Sequence, residues 1–248
     1  MLESIKRWFS GASAQSGAAA MVEWAQATGH PFKRTREGHG FVVEGGTPAQ
    51  GWRLEWGEPQ RSYIKGQELR VRADLGGGAD LQMLLLSRSL METLEKQVFE
   101  QFTEGLQTRI DTDTPEEMRW LVLFPKPPAF EARELREDFG AVASMPQALS
   151  QWLGGPLSAQ LIEARKTWLQ ADDALALVVQ RGRLTLRFAL PQPSAERVTA
   201  AMQLYEVALQ SARRVAEQWG NGSGGPSTHP SLWSGALADS QNPPPTRS

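Results

Sequence analysis

Five arginines stand where the chain alternates polar with apolar residues: Arg53, Arg70, Arg72, Arg183 and Arg187. Guanidinium groups grip phosphate or carboxylate oxygens two at a time, so five on one strand face would form an anion clamp or a face for an acidic partner. Lys33, Arg34 and Arg36 lie just ahead of the first of them. Glu44, Glu55, Glu68 and Asp74 hold the same parity, however. Opposite charges facing one another across strands are how an ordinary solvated sheet face is finished, and that is the plainer expectation.

Other chemistry is sparse. His30 and His39 flank a turn and would hold a metal only with Glu37 or Glu44 as a third ligand. Two ligands without a fixed third rarely retain zinc, so exposed turn histidines are expected, with no metal and no cofactor. Asp111 and Asp113 form a pair suited to phosphoryl transfer, but Gln107, Thr108 and Arg109 before them are not a buried strand. The run Thr114-Pro115-Glu116-Glu117 instead reads as a helix start, with a hydroxyl cap, proline at the first position and glutamate at the third. A dinucleotide fingerprint, a Walker lysine, a nucleophile elbow and a His-Glu-x-x-His motif are all missing. The 248 residues include no cysteine, which removes disulfides, thiolate nucleophiles and Cys-based zinc sites together. No catalytic residue is assigned.

Trp52 and Trp56 fall on one side of a strand, where they would line a flat pocket or fill a core, and core is the simpler use. Lysine and arginine total 26 against 28 acidic residues, a balance that argues against nucleic acid as the partner. The acidic excess gathers in the stretches around Glu92–Glu104 and Glu131–Asp138, expected as solvent faces, with docking of a basic partner as the alternative.

At the amino terminus, Leu2, Ile5, Trp8 and Phe9 share one side of a helix, while Glu3, Ser4, Lys6 and Arg7 take the other. Such a segment suits weak contact with an anionic membrane, or docking on the protein's own body or on a second subunit. Two cations contribute only about 1 kcal/mol each at an anionic surface, so membrane binding would be feeble without oligomerisation. The first residues lack the apolar core of a secretory signal, and no window approaches a membrane span. The expected location is cytoplasmic, at most peripheral to the inner membrane surface.

The elements that must position these residues follow from periodicity. Leu54 and Trp56, then Leu69, Val71, Ala73 and Leu75, alternate with charged residues as strands with one buried face. Leu81–Leu86 is almost unbroken apolar, as in a strand covered on both sides. Two alternating runs flank Arg181-Gly182 as a hairpin. Helical spacing recurs over residues 91–106 after a Ser89/Glu92 capping box, over 115–124, and over 157–168. Residues 130–139 read as a charged surface helix, and Ser144 with Gln147 as the start of another. A long helix follows Pro193-Ser194, with Val198, Ala201, Met202, Tyr205, Ala208, Leu209, Ala212, Ala216 and Trp219 as its stripe.

The expected fold is α+β, an antiparallel meander and a hairpin packed against long amphipathic helices. Residues 1–20 make an amphipathic helix and flexible spacer, and 21–219 the globular body, which divides into halves at 21–110 and 111–219. Residues 220–248 make a disordered tail. The expected role is that of a non-enzymatic protein-interaction module whose partner is another protein and which is able to oligomerise. The alternatives are a small-molecule-binding domain with an apolar cavity between sheet and long helix, or an enzyme whose site assembles from distant positions.

Overall fold

The computed structural model describes residues 17, 19–35, 40–47, 50–76, 80–104, 115–126, 130 and 132–220. The fold is α+β. Eight strands form one antiparallel sheet: β1 (Phe32–Arg34), β2 (Phe41–Gly45), β3 (Trp52–Gly57), β4 (Glu68–Asp74), β5 (Met83–Ser87), β6 (Phe139–Ala143), β7 (Leu175–Gln180) and β8 (Arg183–Ala189). Their order across the sheet is β1-β2-β3-β4-β8-β7-β5-β6. The meander β1–β4 therefore continues into a hairpin supplied much later in the chain. Beyond β4, Leu75 donates its N–H to the Gly182 carbonyl at 2.8 Å, so the chain passes the hairpin turn on its way to β5.

Helix α1 (residues 19–27) precedes the sheet, and α2 (Arg88–Glu104), α3 (Glu116–Leu123) and α4 (Arg133–Asp138) separate β5 from β6. Helices α5 (Pro146–Leu153) and α6 (Pro156–Thr167) lead to β7, and α7 (Ala195–Gly220) follows β8. The alternation of the strands fixes two layers. Leu54, Trp56, Leu69, Val71, Leu184, Leu186, Leu177 and Leu85 face α7 and the short helices in the main core. On the opposite face Leu84, Leu86, Val142, Ala176 and Val178 pack under α2 and α3. β5 is thus covered on both sides, as its apolar run requires.

Helix α7 carries the apolar stripe the sequence predicts: its members from Val198 to Ala216 are buried, and Trp219 at its end is partly buried. Ser194 caps it, its hydroxyl accepting the Arg197 N–H at 3.2 Å. Buried polar tips find partners: Trp56 Nε1 donates to the Leu190 carbonyl at 2.8 Å, and Tyr205 Oη to the Leu184 carbonyl at 3.1 Å. The hairpin turn has positive φ at both Arg181 (51°) and Gly182 (69°), the requirement of a two-residue mirror-image turn.

Three local expectations need correction. Residues 130–139 are not one helix: α4 stops at Asp138 and Phe139 opens β6. Ser144 does not cap α5, which begins at Pro146; its N–H donates to the Gln82 carbonyl at 3.0 Å and pins the end of β6. α2 starts at Arg88, so Ser89 lies inside it, and the Ser89 carbonyl accepts from the Thr93 hydroxyl at 2.8 Å.

Candidate functional site

The polar face of the meander lies beside the α2–α3 layer, and its side chains fall into cross-strand rows. Glu44, Arg53, Arg72 and Thr185 make one row; Glu55, Arg70 and Arg187 make the next. Each nominated arginine already has a carboxylate. Arg53 bonds Glu44 at 2.7 Å and also Glu55; Arg72 reaches Glu55 at 3.3 Å; Arg183 bonds Asp74 at 2.9 Å. Arg70 pairs with Glu55 and with Glu68 at 3.1 Å, and Arg187 pairs with Glu68 at 2.6 Å.

Cross-strand pairing is what the sequence predicts, but a fully solvated face is not what results. Glu68, Arg70 and Arg187 are buried. The β3–β4 connection lies against this part of the sheet: Gln60 donates its N–H to Glu68 at 2.7 Å, and Arg61 Nε donates to Glu117 on α3 at 2.5 Å. Tyr63 Oη donates to the same Glu117 carboxylate at 2.8 Å. Glu117, read in the sequence as the glutamate of a helix start, is almost fully buried and serves as the clasp between α3 and this connection. Burial pushes its carboxyl up, but the hydrogen bond and charge of Arg61 outweigh that and hold it below the ordinary value. Glu55 follows the same balance, with Arg53 and Arg70 outweighing its desolvation. Burial and the neighbouring Glu117 charge push the Tyr63 phenol well above its usual value, so it remains a donor.

A second feature lies on the same side of the molecule. A groove of about 440 Å³ between α2 and α3 is lined by Glu95, Val98, Phe99, Leu121, Val122 and Lys126. Val98 and Leu121 belong to the second core. Phe99 and Val122 are 68% and 52% exposed, and Leu123 beside them is 68% exposed. Large apolar side chains gathered at a surface mark contact sites, whereas scattered ones do not. Glu95 and Lys126 pair across the groove at 2.8 Å, Glu100 pairs with Lys96 at 3.9 Å on the same helix, and Glu92 is exposed there. Sequence reasoning recognised the acidity of this helix but not the groove. The spacing Val98-Phe99 on α2 and Leu121-Val122-Leu123 on α3 continues each apolar run past the width of a buried stripe, and that excess is its signal.

Trp56 is buried and stacks on Phe41 at 5.6 Å, while partly buried Trp52 meets the His30 ring edge-on at 4.9 Å. His39, Glu37, Arg36, Asp111 and Asp113 lie outside the described residues, as do Leu2, Ile5, Lys6, Arg7, Trp8 and Phe9 and the tail. Among the described residues no group of three or more histidines or carboxylates is arranged to hold a metal ion, and no helix is long and apolar enough to cross a membrane. No protein-family model matches the sequence, and no curated protein matches it.

Proposed function

We propose that the protein is a protein-interaction module that receives an amphipathic, basic helix of its partner in the groove between α2 and α3. The observation that carries this reading is the gathering of Phe99, Val122 and Leu123 at the surface around that groove. An apolar floor with walls of two helices is the usual receptor for a third helix, which inserts side chains at i, i+3, i+4 and i+7. The positive charge of the partner is supported by the acidic excess of α2, where Glu92, Glu95 and Glu100 outnumber Lys96. Lys126 and Lys96 hold Glu95 and Glu100 in exposed surface pairs, which cost little to exchange for an incoming cation. The arginine face is the weaker candidate, because an incoming anion would have to displace Glu55 or Glu68 from guanidinium groups that these carboxylates already hold.

A fluorescein-labelled 14-residue peptide of leucine and lysine at helical spacing, titrated against the full chain, tests the reading. Binding should weaken at least tenfold in a Phe99→Glu, Val122→Glu double variant, and a matching leucine–glutamate peptide should not bind. Equal affinity for the wild-type chain and the double variant would reject the groove as the docking site.

A further inference from the structure

We infer that the partner helix carries an acidic residue at one end of its apolar stripe and a basic residue at the other, and that Arg119 and Glu92 read them. This rests on the reading of the groove as a helix receptor and adds the charge pattern that selects its ligand. Arg119 sits on α3 one turn before Val122 and Leu123, so it adjoins the exposed part of the apolar surface. It is half-buried, its Nε is buried without a hydrogen-bond partner, and among the described residues no carboxylate pairs with it. Glu116, one turn earlier, is taken by Gln180 and Arg181, and Glu117 by Arg61 and Tyr63. A cation that has given up part of its hydration without gaining an anion leaves a place for one, and an incoming carboxylate would break no existing pair to fill it.

On α2 the odd carboxylate is Glu92. Lys126 holds Glu95 and Lys96 holds Glu100, while Glu92 is exposed and, among the described residues, no cation pairs with it. The two odd charges mark opposite ends of the groove. Lys126, just past the end of α3, meets Glu95 near the start of α2, and Val98 and Phe99 share the groove with Leu121 and Val122, so the helices run antiparallel along it. Arg119 therefore lies toward the end of α2, and Glu92 one turn beyond the Glu95–Lys126 pair at the other extreme. At about 1.5 Å per residue, the steps from Arg119 to Lys126 and from Glu95 to Glu92 put them about 15 Å apart along the groove, roughly ten residues of a helix laid in it. A helix with like charge at both ends would set one of them against its match, the repulsive element by which an interface rejects a wrong partner.

Two peptides titrated against the full chain test this: the leucine–lysine peptide, and the same peptide with one lysine of its first turn replaced by glutamate. The mixed peptide should bind the wild-type chain about tenfold more tightly. That advantage should vanish in Arg119→Gln and reverse in Arg119→Glu. Comparing the peptides across variants cancels any difference in their own helicity. Glu92→Gln should weaken the mixed peptide about threefold. An equal preference in the wild-type and Arg119→Gln chains, or Glu92→Gln without effect, would overturn the inference; if Phe99→Glu with Val122→Glu still abolishes binding of both peptides, the groove remains a receptor. Binding of both peptides that survives that double variant would reject the receptor reading itself.

Discussion

Arg70 and Arg187 face each other directly across β4 and β8, two buried guanidinium groups in register, and Glu68 accepts a hydrogen bond from both. Like charges opposite one another destabilise a sheet, and here the fully buried carboxylate between the two strands reverses that. Glu68→Gln leaves buried Arg187 without a carboxylate and Arg70 with Glu55 alone, and should cost about 3–5 kcal/mol, read as a lower urea midpoint at pH 7. Replacing the trio together, with Glu68→Leu, Arg70→Met and Arg187→Met, should recover most of that loss. A triple variant as unstable as the single one would mean that the network does more than neutralise itself.

Acid should act through Glu117 and Glu55. Both carboxyls titrate below their unfolded values, near 4.3, because Arg61, Arg53 and Arg70 outweigh their desolvation. As pH falls below about 5 the unfolded chain takes up protons first, so stability present at neutral pH is lost progressively on acidification. Urea titrations between about pH 7 and pH 3 should show this fall, with a shallower slope in Glu117→Gln.

The alkaline limb should belong to Tyr63 and Tyr205. Burial raises both phenols in the folded state, so above about pH 10 the unfolded chain ionises while the folded one does not, and stability drops as pH rises. Tyr63→Phe should make that limb shallower, leaving the share of Tyr205. An unchanged alkaline slope in this variant would place the titration elsewhere.

Arg181 adopts φ = 51° in the hairpin turn, a conformation that costs a side chain with a Cβ roughly 1 kcal/mol. Its ion pair with Glu116 is exposed and worth little. Arg181→Asn, which gives the turn the favoured Asn-Gly pair, should raise stability by about 0.5–1 kcal/mol in thermal unfolding.

Gly140 lies in β6 under α2, and a Cβ built there would sit 1.8 Å from the Met91 sulfur. Gly140→Ala should destabilise by about 1–3 kcal/mol, and Met91→Ala in the same chain should relieve part of the clash. The double-mutant cycle reads that coupling directly.

How much of this was legible in the sequence depends on where alternation survives. β3, β4 and β8 each turn apolar residues to the main core and charged ones to the other face, so Leu54, Leu69 and Leu184 announced their strands. β7, buried on both faces, was legible as the other arm of the Arg181-Gly182 hairpin. β6 is buried on both faces and built of Phe139, Gly140, Ala141, Val142 and Ala143, so it has no alternation to read, and Phe139 also continued the helical spacing of Phe130 and Leu135. The three-residue strand β1 is too short to set a period. The parity of Arg53, Arg70, Arg72 and Arg187 was plain, whereas the burial of Arg70 and Arg187 was not, because it depends on residues 58–67 lying against them. The groove was hidden for a similar reason: it exists only where α2 and α3 meet, and no window of sequence contains both Phe99 and Val122 at helical spacing.

The hairpin of β7 and β8 sits between β4 and β5, although the chain makes those two strands long before it. During synthesis the meander and β5 must therefore wait, each with an unsatisfied row of amides, until residues 175–189 leave the ribosome and close the gap. A product ending before that hairpin is not a smaller working protein. It has two raw sheet margins and belongs to the quality-control machinery of the cell.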